Sequence, residues 1–305
     1  MRRENGLVTF GIICCQQRDF ITSVLDGALA QTYRPLQVVV CDDASTDGTF
    51  ELAVDLAKGH PVSVDVVLHR NDTRLGIGNC DQMVSLARGA FIVMAHGDDI
   101  SSPHRVERLV DAWCAHDCSM VTSNAIVIDE NDKQLGPYGR ETNSYNLSAE
   151  ALASGGWNKA MLGAVLGFEP AVFTRFGPLE PTRSAFVHDW ILPYRAALLK
   201  GIHYLPEPLL RYRVHGGNYT SLFMNARQDD SEQTESHLAN KITQLHYMLH
   251  DTKVAYKKGF ISRGRADDLT DRLQQSIVKA AGRFSIARNN LLASGKRARW
   301  LSPNA

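Results

Sequence analysis

At 305 residues, the chain is long enough to bury one large domain and carry an appendage. Its 44% hydrophobic and 22% charged content is that of a globular protein, and 33 basic against 33 acidic side chains leave no overall charge to draw it to nucleic acid. No apolar run approaches the roughly 20 residues of a membrane-spanning helix, and the apolar stretch behind the basic start, Met1 to Gly6, is too short for a signal peptide. Six cysteines (Cys14, Cys15, Cys41, Cys80, Cys114, Cys118) are scattered along the chain. Cys114 and Cys118 have the spacing of one helical turn, yet no second Cys or His pair completes a zinc set. Buried thiols and a reducing, cytoplasmic setting are therefore expected.

In chain order, Leu7 to Cys14 reads as a buried strand, and Phe20 to Ala30 has helical spacing at Ile21, Val24, Leu25, Ala28 and Leu29. A second strand, Leu36 to Cys41, delivers Asp42-Asp43-Ala44-Ser45-Thr46-Asp47-Gly48, followed by a helix over Thr49 to Lys58. Val62 to Leu68 reads as a third strand, and Asn79 to Arg88 as a helix with Gly89 as its stop. The fourth strand, Phe91 to Ala95, runs straight into His96-Gly97-Asp98-Asp99. Strands alternating with helices imply a mostly parallel sheet with right-handed crossovers. A helix over Pro103 to Cys114, a strand over Ser119 to Asp129 and a polar loop over Asn131 to Ser148 come next. From Ala149 to about Leu222 a second half is expected: a Gly-rich apolar segment (Met161 to Phe168), a helix-like Pro170 to Phe176, a loop at Glu180 to Ser184, a helix from Asp189 to Lys200, and a strand pair ending in Leu209 to His215. The domain reading is 1–225, with a nucleotide-binding part at about 7–130 and an acceptor part at about 149–222, then a helical region at 226–305. Between Lys253 and Ala305 there are twelve Lys or Arg against three Asp, which points to an anionic surface such as lipid headgroups, to another subunit, or simply to a solvated face.

Ligands of open α/β sheets sit outside the carboxyl ends of the strands. Two acidic steps are delivered there. Asp42-Asp43 suits a ribose hydroxyl or a base N–H, while Ser45, Thr46 and Asp47 serve as helix-capping alternatives. Asp98-Asp99, with His96, suits a hard divalent cation carrying phosphate oxygens; the competing reading is a loop in which Ser101 or Ser102 caps the next helix. His215 offers one more imidazole. Asp189 stands at a helix start, either as an N-cap or as a general base for an acceptor hydroxyl. Gly76-Ile77-Gly78 lacks the full dinucleotide fingerprint.

The order of these motifs resembles that of family 2 inverting glycosyltransferases with a GT-A fold. The resemblance rests on Gln31 with Val38 to Thr49, on Ala87 to Gly89, on Met94 to Pro103, on Gly177 with His188-Asp189, and on Tyr212 to His215. It covers about residues 7 to 220. It implies an α/β Rossmann-like sheet with flanking helices and a C-terminal helical extension. The nucleotide would lie against Cys14, Gln16, Arg18, Asp42, Asp43, Gly76, Asn79, His96, Gly97 and Asp98. Asp98, His215 and His96 would hold Mn²⁺ or Mg²⁺, Asp189 would be the catalytic base, and His188 and Trp190 would flank the acceptor. The implied donor is a nucleotide-diphosphate sugar, foremost a UDP-sugar, and the implied acceptor a glycan or lipid-linked hydroxyl in cell-surface polysaccharide synthesis. A cytoplasmic enzyme, peripheral on the membrane or self-associating through its basic helices, completes that reading. This chain departs from the pattern at Cys14 to Gln17, at His96 in place of an Asp, and at His188 in place of a Glu. A nucleotidyltransferase would want a basic phosphate loop after the first strand, where only Arg18 stands. A non-catalytic sugar-nucleotide module would keep Asp42 and tolerate loss of Asp189.

Overall fold

The structure, a computed structural model, describes residues 6–59, 64–155, 162–179, 187–216 and 231–293; the side chains of 187, 188, 231–234, 236 and 290–293 lie outside the description. Four parallel strands form one half of a ten-stranded sheet: β1 (Val8–Cys14), β2 (Leu36–Asp42), β3 (Asp65–Arg70) and β4 (Phe91–His96), in the order β3-β2-β1-β4. Alternation decides which face each side chain fills. Val38 and Val40 join Phe10, Ile12, Phe91 and Val93 on one side, and Val39 and Cys41 join Ile92 and Met94 on the other. The first side is covered by α1 (Ile21–Leu29), which buries Ile21, Val24, Leu25, Ala28 and Leu29, and by α4 (Arg105–Ala115). Between them α2 (Thr49–Gly59) and α3 (Gly78–Leu86) complete the alternation expected of the first half.

The second half differs from its sequence reading. The polar stretch Asn131 to Ser148 is not all loop: it contains β7 (Gln134–Pro137), paired with β6 (Met120–Ile128), and β8 (Tyr145–Leu147). The expected strand pair is one long strand, β10 (Ile202–Arg213), parallel to β6 with irregular register between Leu205 and Leu210. Short β5 (Ile100–Ser101) runs antiparallel along its end. The Gly-rich segment becomes a single 3₁₀ turn (Gly163–Val165) and then β9 (Leu166–Phe168), which lies antiparallel between β4 and β6 and so joins the halves. Gly167 fits there because a Cβ would lie 2.6 Å from the Phe91 ring. Gly89 is not a helix stop either: α3 has already ended, and Gly89 donates its N–H to Thr9 Oγ1 (2.9 Å) where the chain passes close to β1. Cys114 and Cys118 do not share a helical turn, since α4 stops at Ala115, leaving Cys114 exposed and Cys118 buried; Cys14, Cys41 and Cys80 are buried as expected and Cys15 partly so.

The helices α5 (Ala149–Ala153), α6 (Ala171–Thr174) and α7 (Val187–Leu199) pack on the sheet's other side together with two long helices, Ser231–Lys257 and Arg263–Ala293. Leu245, Met248, Leu269 and Leu273 share one apolar cluster with Ile191, Leu192 and Met94. A buried pair locks this junction: Arg195 Nε donates to Asp251 Oδ2 at 2.8 Å, and the Tyr194 and Thr252 hydroxyls meet at 2.8 Å. Removing one partner of such a pair costs about 3–5 kcal/mol, because the other charge is left buried alone. No helix among the described residues is long and apolar enough to cross a membrane.

Candidate active site

The parallel register gathers the chemistry. Cys14 pairs with Asp42 and Ile13 with His96, so β1, β2 and β4 end at one level and release their loops on the same edge of the sheet. Gly97 is where these loops touch: a Cβ there would overlap Gln17 Oε1 and lie 2.5 Å from Cys14 Cβ.

At the β2 end, Asp42 is fully buried; its Oδ2 accepts from Ser45 N (2.8 Å) and lies 3.7 Å from Arg70 Nε. Asp43 accepts from Asn71 Nδ2 (2.9 Å), Leu75 N (2.7 Å) and Gly76 N (2.9 Å). Asn79 accepts from Asn71 (3.0 Å) and donates to Cys41 O (3.0 Å), so residues 71–79 are folded around the Asp43 carboxylate. The Gly76 amide therefore points inward at Asp43, which explains why this loop lacks a phosphate-cradle sequence. The β1 loop forms the adjoining wall. Gln16 donates its N–H to Ser45 Oγ (2.8 Å) and accepts from Thr46 N (2.6 Å), and Arg18 N donates to Asp47 Oδ2 (3.1 Å). Asp47 also accepts from Thr49 N (3.0 Å), as a cap for the start of α2. Burial, and then the charge of Asp42, push the Cys14 thiol up, so it is a packing group in this wall rather than a thiolate.

At the β4 end, no serine cap forms: His104, without a side-chain capping bond, precedes α4, and Ser101 lies in β5. The acidic step is turned instead toward the end of β10. Asp98 Oδ2 lies 3.1 Å from His215 Nε2, and Asp99 Oδ1 accepts from Arg213 N at 2.9 Å. One ligand atom each from His96, Asp98 and Asp99 fall within 4.8 Å of one another. Asp99 Oδ2 is buried with no hydrogen-bond partner among the described residues, and burial, followed by the Asp98 charge, raises its carboxyl well above the usual range. Two carboxylates and two imidazoles, one oxygen of them unsatisfied, fit a hard divalent cation.

Two arginines that the sequence does not mark as site residues hold this end in place. Arg213 spans it: Nε donates to Asp98 O (2.8 Å), Nη1 to Asp129 O and Glu130 O (3.2 and 3.3 Å), and its guanidinium lies 4.8 Å from the Phe20 ring, which packs on His215 at the same distance. Arg105 is fully buried, donating to Ser101 Oγ (2.9 Å), Met94 O (2.7 Å) and Ala164 O (2.5 Å). Burial pulls it down to about 10, against the opposing attraction of Asp99. Arg105 thereby ties β4 to the 3₁₀ turn, whose Gly163 N–H donates to Asp189 Oδ1 at 2.6 Å. Asp189 is half-buried in the first turn of α7 and lies near Tyr138, whose hydroxyl is pushed up by burial and then by the Asp189 charge. Tyr138 in turn meets Tyr212, just before Arg213, edge-on at 5.9 Å. Trp190 packs half-buried against the core beside Asp189, while the His188 side chain and the loop Glu180 to Ser184 lie outside the described residues.

A sheet whose strand ends carry one acidic step on each side of β1, with an antiparallel strand joining its halves, defines a GT-A glycosyltransferase. The family model for glycosyl transferase family 2 matches residues 9–165, just over half of the chain, and the chain belongs to that family. It is similar to an uncharacterized glycosyltransferase of Nostoc sp., with 26% identity over 263 residues, 85% of this chain and 78% of that one. Among solved structures, Staphylococcus aureus TarS 1–349 in complex with UDP-GlcNAc has a TM-score of 0.57 at 14% identity, covering 95% of this chain and 93% of that one. The mannosyltransferase PcManGT of Pyrobaculum calidifontis, in complex with GDP-Man and Mn²⁺, has a TM-score of 0.53 at 18% identity, covering 95% and 76%. These likenesses are of fold.

Proposed function

We propose that this glycosyltransferase is metal-dependent and inverting, moving a sugar from a nucleotide-diphosphate donor, a UDP-sugar first, to a hydroxyl of a glycan or lipid-linked acceptor in cell-surface polysaccharide synthesis. The observation that carries this reading is the meeting of Asp98 and His215, 117 positions apart, at 3.1 Å beside the unsatisfied Asp99 oxygen. Asp98 and His215, with His96 beside them, are the ligands for Mn²⁺ or Mg²⁺, which when bound supplies Lewis-acid support to a leaving diphosphate. That TarS binds UDP-GlcNAc and PcManGT binds GDP-Man with Mn²⁺ on the same fold supports the donor class.

The nucleotide lies against the β1 and β2 loops, with Asp42 and Asp43 toward base and ribose and Cys14, Gln16, Arg18, Gly76, Asn79 and Gly97 forming the wall. Asp189 takes the proton of the acceptor hydroxyl as its oxygen bonds to the anomeric carbon and the carbon–phosphate oxygen bond breaks; one displacement inverts the centre. Gly163 N–H holds Asp189 Oδ1 at the start of α7, and His188 and Trp190 flank the acceptor. In Asp189→Asn, transfer is abolished while donor binding, read by calorimetry, is retained; unchanged turnover overturns the base assignment. Release of nucleoside diphosphate from a panel of UDP-, GDP- and dTDP-sugars identifies the donor and separates transfer from mere binding.

A further inference from the structure

The last helix, Arg263–Ala293, has a face that the enzyme's chemistry does not use. Its inner side is buried through Leu269, Leu273, Ala280 and Ala287. At ~100° per residue, Val278, Gly282, Ser285 and Ile286 share the opposite, outer arc. Lys279 borders that arc on one side, with Arg283 beyond it toward the neighbouring helix, and Arg288 borders it on the other; Asp271 lies on the same arc two turns before Val278. Val278 is 72% and Ile286 63% exposed, two of the five exposed large hydrophobic side chains among the described residues. After Asp271 the chain carries seven Lys or Arg and no carboxylate. Within the described residues no carboxylate lies in ion-pair range of Lys279, Arg283 or Arg288. The like charges instead meet one another: Lys241, on the neighbouring helix, is lowered by burial and then by Arg283 and Lys279.

We propose that this outer face docks on an anionic lipid bilayer, with Lys279, Arg283 and Arg288 among the headgroups and Val278 and Ile286 dipping beneath them. Aliphatic side chains bounded on both sides by long cations are the pattern of a helix lying in a membrane interface, where the stems reach outward and the charges stay wet. A nucleic acid or other polyanion rewards the cations but gains nothing from exposed Val and Ile. A second copy of the chain would set like charge against like charge across a twofold contact.

The test is co-sedimentation of the full chain with phosphatidylcholine vesicles, with and without about 30% phosphatidylglycerol, at about 0.1 M and 0.5 M salt. Binding to the phosphatidylglycerol vesicles alone, weakened by salt, is expected. Charge reversal by Lys279→Glu, Arg283→Glu and Arg288→Glu together lowers partitioning on the order of a hundredfold, at roughly fivefold or more per headgroup contact. Val278→Ser with Ile286→Ser lowers it by about tenfold. Both variants keep the donor-hydrolysis rate and gel-filtration volume of the parent, since these side chains are exposed on the helix surface and none belongs to the site. Equal binding to neutral vesicles, no binding to either, or a charge-reversed variant that binds like the parent overturns the proposal. An unaffected Val278/Ile286 variant also overturns it, and identifies the face as a site for polyanions such as RNA.

Discussion

The two acidic steps on either side of β1 are the same dipeptide at equivalent strand ends, yet they are furnished in opposite ways. Asp43 is given three N–H donors by residues 71–76, and Asp42 is given the Ser45 amide with Arg70 nearby. The protein itself answers those charges and uses them to fold the wall of a pocket. Among the described residues, Asp99 receives one amide on one oxygen and no hydrogen bond on the other, and Asp98 faces an imidazole. Unsatisfied buried oxygen is costly, roughly 1–3 kcal/mol and more when charged. A step left in that condition fits the divalent cation proposed for it. The contrast separates carboxylates already answered by the fold, around which the proposed nucleotide wall is built, from a step left open to a ligand.

Substitutions at the two ends break or sharpen this contrast. The largest effect is expected from Asp98→Ala: turnover falls on the order of a thousandfold, and the gain in donor affinity on adding Mn²⁺ disappears. Calorimetry with and without Mn²⁺ checks it, and a surviving metal-dependent gain would show that the two ends do not differ as argued. Asp43→Asn sets its new amide nitrogen either against the Gly76 N–H or against those of Leu75 and Asn71, so it costs about 3 kcal/mol of stability in urea unfolding. Its weakened donor binding is not restored by excess Mn²⁺. Asp99→Asn has the smallest effect, less than about 1 kcal/mol near pH 4 with chelator present, because burial keeps that carboxyl in its neutral form there. The sign of its pH dependence is definite. The Asp99 carboxyl holds its proton more tightly folded than unfolded, so its contribution is complete below the ordinary carboxylate value of 3.8 and declines as pH rises toward the raised one. Asp99→Asn removes that decline, which urea unfolding at about pH 4 and pH 7 measures.

How far the sequence discloses this site follows from what is local. The apolar runs ending in Asp42 and His96, and the helical spacing of Ile21 to Leu29, show four parallel strands and their helices because each buries its own face by period alone. Asp98 and His215 can be marked as residues, but their approach depends on β10 lying beside β6, which no spacing encodes. The work of Arg105 is hidden for another reason: a lone Arg in an amphipathic helix reads as solvent-facing until the carbonyls of Met94 and Ala164 are seen around it. β7 and β8 are masked by their polar sequence, since edge strands pair through their backbones whatever side chains they carry. Leu166–Phe168 is three residues long, too short for any periodicity to register.

That same trio governs how the protein comes into being. Without it, β4 is hydrogen-bonded to β1 on one flank only, and β6, though packed under the same α4, is joined to β4 by no strand. A chain lacking this strand displays a bare, apolar ribbon edge, the surface on which unfinished chains stick to each other. Leu166-Gly167-Phe168 covers that edge, and the sheet then runs unbroken from one half to the other.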